Sequence, residues 1–179
     1  MLSSYISSHR QDTQPGVVMS PFPGTDPGDG DTASGGQGKP VDGVRCDRSE
    51  QLGFHQHAHL YVLRDGLGQP VSANVGIPGG ALLPQCLYWL HTHDRTGVIH
   101  IEAPAAQAFT LGQFFDTWGQ PLSSTQVARL TIPTGQLAVF VDGSPFTGDP
   151  RAIVLKAHTQ VVIEIGKRVT PPNYDFGAL

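Results

Sequence analysis

One stretch of this chain has the apolar period of a helix, and the other apolar stretches read as strands. In TLGQFFDTWG, residues 110–119, Leu111, Phe114, Phe115 and Trp118 recur at i, i+3, i+4 and i+7, which puts all four on one helical face. Thr110 stands where an N-cap belongs, with Gln113 three residues on, and Gly119 stands where a left-handed glycine closes a helix. The spacing therefore predicts a helix over 111–118 whose apolar stripe is core. Around it, segments 57–63, 70–77, 87–93, 98–102, 127–132, 137–141, 152–155 and 161–165 read as strands. Asp65-Gly66 and Asp94-Arg95-Thr96-Gly97 are the turns of two hairpins. In the last segment Val161, Ile163 and Ile165 face one way, and Val162 and Glu164 the other. One short helix among many short strands confines the chain to the α+β class.

Residues 11–40 hold twelve Gly or Pro and a single aromatic, Phe22. Such a stretch buries too little apolar surface to offset the entropy of ordering it. Residues 1–43 are therefore expected to form a disordered Gly/Pro-rich tail, and residues 44–179 a single α+β domain. The formal net charge is −4 and there is no Lys/Arg cluster, so nucleic acid is not an expected partner. No apolar run approaches the ~18 residues of a membrane span, and Met1–Gly16 lacks the apolar core of a secretory signal. Export would then depend on a signal, and membrane attachment on an anchor, that this chain does not contain.

The order hairpin, helix, strand, short strand, strand resembles that of a β-grasp, in which a mixed sheet wraps one helix. The phrase LAVFVDG…IVLKAHTQVVIEIG is similar to the closing strands of such modules. The hairpin 55–77 would be an N-terminal addition to that core. A β-sandwich is the alternative.

Six of the eight histidines fall in three alternating motifs: HQHAH (His55, His57, His59), HTH (His91, His93) and HIE (His100, Glu102). Alternate strand residues share a face. With the second hairpin symmetric about Arg95-Thr96, His91 opposes His100, His93 opposes Val98 and Trp89 opposes Glu102. Opposed Cβ atoms lie about 4.5–5.5 Å apart, so His91, His93 and His100 converge on one patch. Two histidines on one strand and a third on its neighbour can hold an ion at about 2.0–2.1 Å from each nitrogen. The pattern resembles the zinc site of α-type carbonic anhydrases, although nothing else in the chain does. The expected ligand set is His91, His93 and His100, completed or flanked by His57, His59 and Glu102. His55 is expected outside it because Gly53 leaves the strand start undefined, His158 is expected to be structural, and His9 lies in the tail. Zinc or copper suits such a set. Met1 and Met19 both lie in the tail, so a thioether copper site is excluded. Without a metal, the same rings would form a hydrogen-bond network or a pH-responsive patch. Asp94 either opens its turn or orients a histidine from the second shell of the site. Glu102 is a ligand, a general base beside a metal-bound water, or a solvated strand end. A cupin site is excluded, because Glu102 follows His93 by nine residues rather than three or four.

Cys46 and Cys86 can be a disulfide, two free thiols or metal ligands. A disulfide would tie the exit of the tail to the core and imply an oxidising compartment.

The motif string Cys46, HQHAHL, Ile77-Pro78, CLYWLHTHD, GVIHIE and FTLGQFFDTWG resembles an uncharacterised bacterial and archaeal family over residues 43–166. That family's pattern is Cys, HxHxHL, Ile-Pro, CxxWxHTHD, GxIHIE and FTLGxFFxxWG. Here NVGIPG, residues 74–79, departs from its proline-rich link. The resemblance implies an exported or membrane-tethered protein, periplasmic or secreted, with Cys46 and Cys86 paired, and it implies no activity. The leading expectation is an extracytoplasmic module binding zinc or copper. A metal-dependent enzyme with three histidines and an open position is the second, and a β-grasp module that binds another protein through a metal-free surface is the third.

Overall fold

The computed structural model describes residues 17–18, 36–177 and 179. Most of the expected tail, and His9 with it, lies outside the described residues. Residues 36–43 are bound to the domain. The Gly36 amide donates to the Thr117 carbonyl, Val41 and Val44 form a bridge, and the Tyr88 hydroxyl donates to the Lys39 carbonyl.

In chain order the strands before the helix are β1 (Cys46–Asp47), β2 (Phe54–Arg64), β3 (Leu67–Gln69), β4 (Leu87–Tyr88), β5 (Leu90–His91), β6 (Val98–Ala103) and β7 (Phe109–Thr110). The helix is α1 (Leu111–Trp118). After it come β8 (Gln126–Val127), β9 (Leu130–Thr131), β10 (Leu137–Val141), β11 (Ser144–Phe146), β12 (Val154–Leu155) and β13 (Gln160–Ile165). The class is α+β. The main sheet is open and mixed, in the order β11-β10-β13-β2-β6-β5, with β3 folded back on β2. β13 runs parallel to β2, from Gln160↔His59 to Ile165↔Arg64, and the other pairings are antiparallel.

The helix has the predicted bounds for the predicted reasons. The Thr110 side chain accepts from the Gln113 amide, the Gln113 side chain accepts from the Thr110 amide, and Gly119 closes the helix at φ 70°. Leu111, Phe114, Phe115 and Trp118 are buried against Ala58, Leu60, Leu90, Ile99, Ile101, Val161 and Ile163, one face of the sheet. Residues of opposite parity form the other face. Half of that face is a small apolar cluster of Tyr61, Leu63 and Val162 covered by Val17, Val169 and Tyr174. The other half carries the histidines of β2, β5 and β6.

Three strand expectations change. Residues 70–77 are not a strand, because Asn74 and Gly76 take φ of 58° and 68° and Val75 exchanges hydrogen bonds with Thr92 instead. Residues 127–132 belong to a tight hairpin, β8 and β9, that reverses where Ala128 takes φ 46°. The hairpin β2–β3 is not an addition beside the sheet, since β2 is one of its two central strands. β13 does alternate as expected, but both of its faces are buried.

Cys46 and Cys86 are disulfide-bonded, with Cα atoms 5.4 Å apart, across 40 residues. The bond joins the ladder of β1 and β4, where Cys46 pairs with Tyr88.

Phe115 has no exposed surface, so Phe115→Ala should cost about 3–5 kcal/mol in urea melts as a cavity in the core. A loss below about 1 kcal/mol would place that face outside the core. Reduction of the disulfide should lower stability by roughly 4 kcal/mol, the loop-entropy value for this separation. The same melts with and without reductant measure it.

Candidate metal centre

The β5–β6 hairpin has the register expected from its turn, with His91 opposite His100. Asp94 makes that turn, accepting from the Thr96 amide at 2.9 Å and from the Thr96 hydroxyl. Gly97 takes φ +88°, and a Cβ there would stand 2.2 Å from the Leu60 carbonyl oxygen. Only glycine lets this turn lie against β2.

On the far side of β6, His55 pairs with Glu102, His57 with His100 and His59 with Val98. One row of imidazoles, His57–His100–His91, therefore runs across three strands on one face. Two groups of three result, with one ligand atom per residue and all atoms within 4.8 Å of each other: His91, His93 and His100, and His55, His57 and His100. His100 belongs to both. The His57 Nε2 lies 3.2 Å from the His55 Nε2 and 3.2 Å from the His100 Nδ1.

Glu102 lies in the middle. Its Oε1 is 3.4 Å from the His55 Nε2, 3.4 Å from the His100 Nδ1 and 3.9 Å from the His91 Nε2. Burial pushes its carboxyl up, but the hydrogen bond from His100 and the neighbouring His91, His100 and His55 outweigh this and hold it below the usual value. Its Oε2 is buried without a hydrogen-bond partner.

His91 has no exposed surface. Its Nδ1 lies 2.8 Å from the Tyr88 carbonyl, an acceptor only, so Nδ1 carries the proton and donates. The Nε2 is thereby left as a bare lone pair, and it is buried with no hydrogen-bond partner. A ring whose Nδ1–H is tied to a backbone carbonyl and whose Nε2 faces other donors is the arrangement of a metal-ligating histidine. Burial pushes His91 down to about 3, and the His93 and His100 rings add to the shift. Burial, then His100 and His55, push His57 down to about 4. His93 is lowered by burial and by His100, against Glu50, Glu102 and Asp94. At neutral pH His57, His91 and His93 are thus uncharged and have lone pairs to offer.

Two expected placements change. His59 joins none of these groups among the described residues. Its ring stacks on Tyr174 with centroids 3.9 Å apart, and its Nε2 donates to the Thr96 carbonyl at 2.8 Å. His55, expected outside, lies inside, because β2 begins at Phe54 and the alternation already holds there. His158 stacks on Phe176, and its amide donates to the His57 carbonyl. Asp94 acts on His59 and His93 by charge alone while serving its turn. The sequence reading missed Glu50, which lies 4.0 Å from the His93 Nε2 and forms a third group with His91 and Glu102. It lies on the loop after β1, the strand that the ladder with β4 and the Cys46–Cys86 bond tie to the segment before β5.

A cavity of about 500 Å³ opens beside His93 and Glu50, lined by Leu52, Ile77, Pro84 and Leu87. Among the described residues no helix is long and apolar enough to cross a membrane. No family model, curated protein or solved structure matches the chain.

The buried rings should weaken the fold in acid. His59 is pushed down to about 3 by burial, as is His91. A base with a lowered folded pKa leaves the unfolded state holding more protons below the ordinary value of about 6.5. Stability is then full above that pH and falls as the pH drops toward 3–4. In metal-free protein, urea melts between pH 7.5 and 5 should show a loss steeper than the ~1.4 kcal/mol per pH unit of a single proton. Equal midpoints at both ends would mean that these rings are not buried uncharged.

Proposed function

We propose that this chain is an extracytoplasmic metal-binding module that holds a divalent transition ion, zinc or copper, in the histidine cluster of its sheet. The observation that carries the reading is the His91 Nε2, a buried lone pair without a partner, fixed by its own Nδ1–H and set beside His93, His100 and Glu102. Leaving such an acceptor unsatisfied costs about 1–3 kcal/mol, and an ion removes that cost. Imidazole with one carboxylate suits zinc and copper(II), and the donor set holds no thioether or free thiolate. His91, His93 and His100 are the ligands of this reading, with Glu102 beside them.

The extracytoplasmic location rests on the disulfide and on the resemblance to an exported family. A β-grasp arrangement is part of the same reading. It is supported by the central parallel pair β2 and β13 and by the single helix between β6 and β10. The cavity beside His93 favours a second reading, an enzyme in which an ion keeps one position open toward a small apolar substrate.

Calorimetric titration with zinc and with copper(II), on protein without a histidine tag at pH 7.5, tests the proposal. Binding at micromolar affinity or tighter is expected. His100→Ala should weaken it at least tenfold with the far-ultraviolet spectrum unchanged. No heat with either ion, or full affinity in His100→Ala, would sink it.

A further inference from the structure

The donors of the cluster are too spread for one ion and are arranged as if for two. Neighbouring donors on a single ion at about 2.0–2.2 Å stand about 2.8–3.5 Å apart. His55, His57, His100 and Glu102 form a ring of adjacent contacts in that range, of which the three histidines group with all their ligand atoms within 4.8 Å of one another. His55 Nε2 to His57 Nε2 is 3.2 Å, His57 Nε2 to His100 Nδ1 is 3.2 Å, His100 Nδ1 to Glu102 Oε1 is 3.4 Å, and Glu102 Oε1 to His55 Nε2 is 3.4 Å. His91 and His93 stand outside this ring, on the other side of His100, and they group with His100 rather than with His55 or His57. Neither of the two histidine groups includes rings from both β2 and β5.

We propose that the cluster takes two divalent transition ions, the second held by His55 Nε2, His57 Nε2 and His100 Nδ1, with Glu102 beside them. This deepens the metal-binding reading and rests on it. His91 and His93 serve the first ion, and His100 and Glu102 stand between the two. A carboxylate suits that place, because it has a second oxygen and Glu102 Oε2 has no other partner. An imidazole suits it because it has two nitrogens. His100 bound at both nitrogens gives up its one ring proton to solvent, whereas the other rings bind through lone pairs already free, so loading the second ion acidifies an unbuffered solution. Glu102 also supplies negative charge between two cations, which a cluster of imidazoles alone would lack. The hairpin geometry explains the doubling. β6 is flanked on both sides by histidine-bearing strands, so one strand's polar row, His100 and Glu102, is offered to two neighbours at once.

Native mass spectrometry of the untagged protein with excess zinc reads the stoichiometry directly. The unmodified chain should carry two ions, and His55→Ala and His93→Ala should each carry one. These two side chains are 40% and 42% exposed, so neither substitution opens the core, and thermal melts of the variants check this. Loaded with copper(II), the unmodified protein should give a spin-coupled resonance spectrum, and each single variant an uncoupled one. One ion on the unmodified chain, whichever variant loses it, overturns the second site and leaves the metal-binding reading standing. No ion at all overturns both.

Discussion

β13 is flanked by β2 and β10 and buried on both faces, and its pairing with β2 decides where the histidines can be. The parallel ladder covers β2 only from His59 to Arg64. The first part of β2, with His55 and His57, runs past the end of β13 and has β6 alone as a ladder partner. Side chains there are free of the apolar cluster that fills the rest of that face. The C-terminal segment completes the division by laying Tyr174 over Tyr61 and His59. A single sheet face is thus dry at one end and polar at the other, and the boundary falls at His59.

Placing this many polar rings on a sheet is costly, and the structure shows how the cost is contained. His91 is buried but uncharged and spends one nitrogen on a backbone carbonyl. Glu102 is 3% exposed, and the hydrogen bond from His100 helps hold its carboxyl below the usual value against the effect of burial. His55 and His93, at the margins, remain in reach of water. What is left over includes two buried acceptors without a hydrogen-bond partner, the His91 Nε2 and the Glu102 Oε2, in groups of donors that could hold a metal ion.

The parts of this arrangement that were legible in the sequence are the local ones. The helix could be read to the residue because period, capping box and closing glycine all lie within ten positions. The His91↔His100 register could be read because a short turn fixes it. The pairing of β2 with β13 spans some hundred residues and has no local signature, so from sequence alone β2 reads as peripheral. The fate of His59 depends on Tyr174, far along the chain, and alternation alone put it with His57. Residues 70–77 look extended by composition, but left-handed Asn74 and Gly76 break them. Glu50 meets His93 from the loop after β1, a long-range approach that has no local pattern.

The path of the sheet ends at β11 and β5, and β3, laddered with β2 alone, gives its Gly68 amide to the Val18 carbonyl. β11 is three residues long and has Pro145, with no amide hydrogen, at its middle. β5 is two residues long, and at Trp89 the backbone amide already turns away to the Arg45 carbonyl. Neither edge offers a run of free backbone groups long enough to recruit a strand from another molecule. Among the described residues, the two ends of the sheet thus leave little room for growth by backbone pairing.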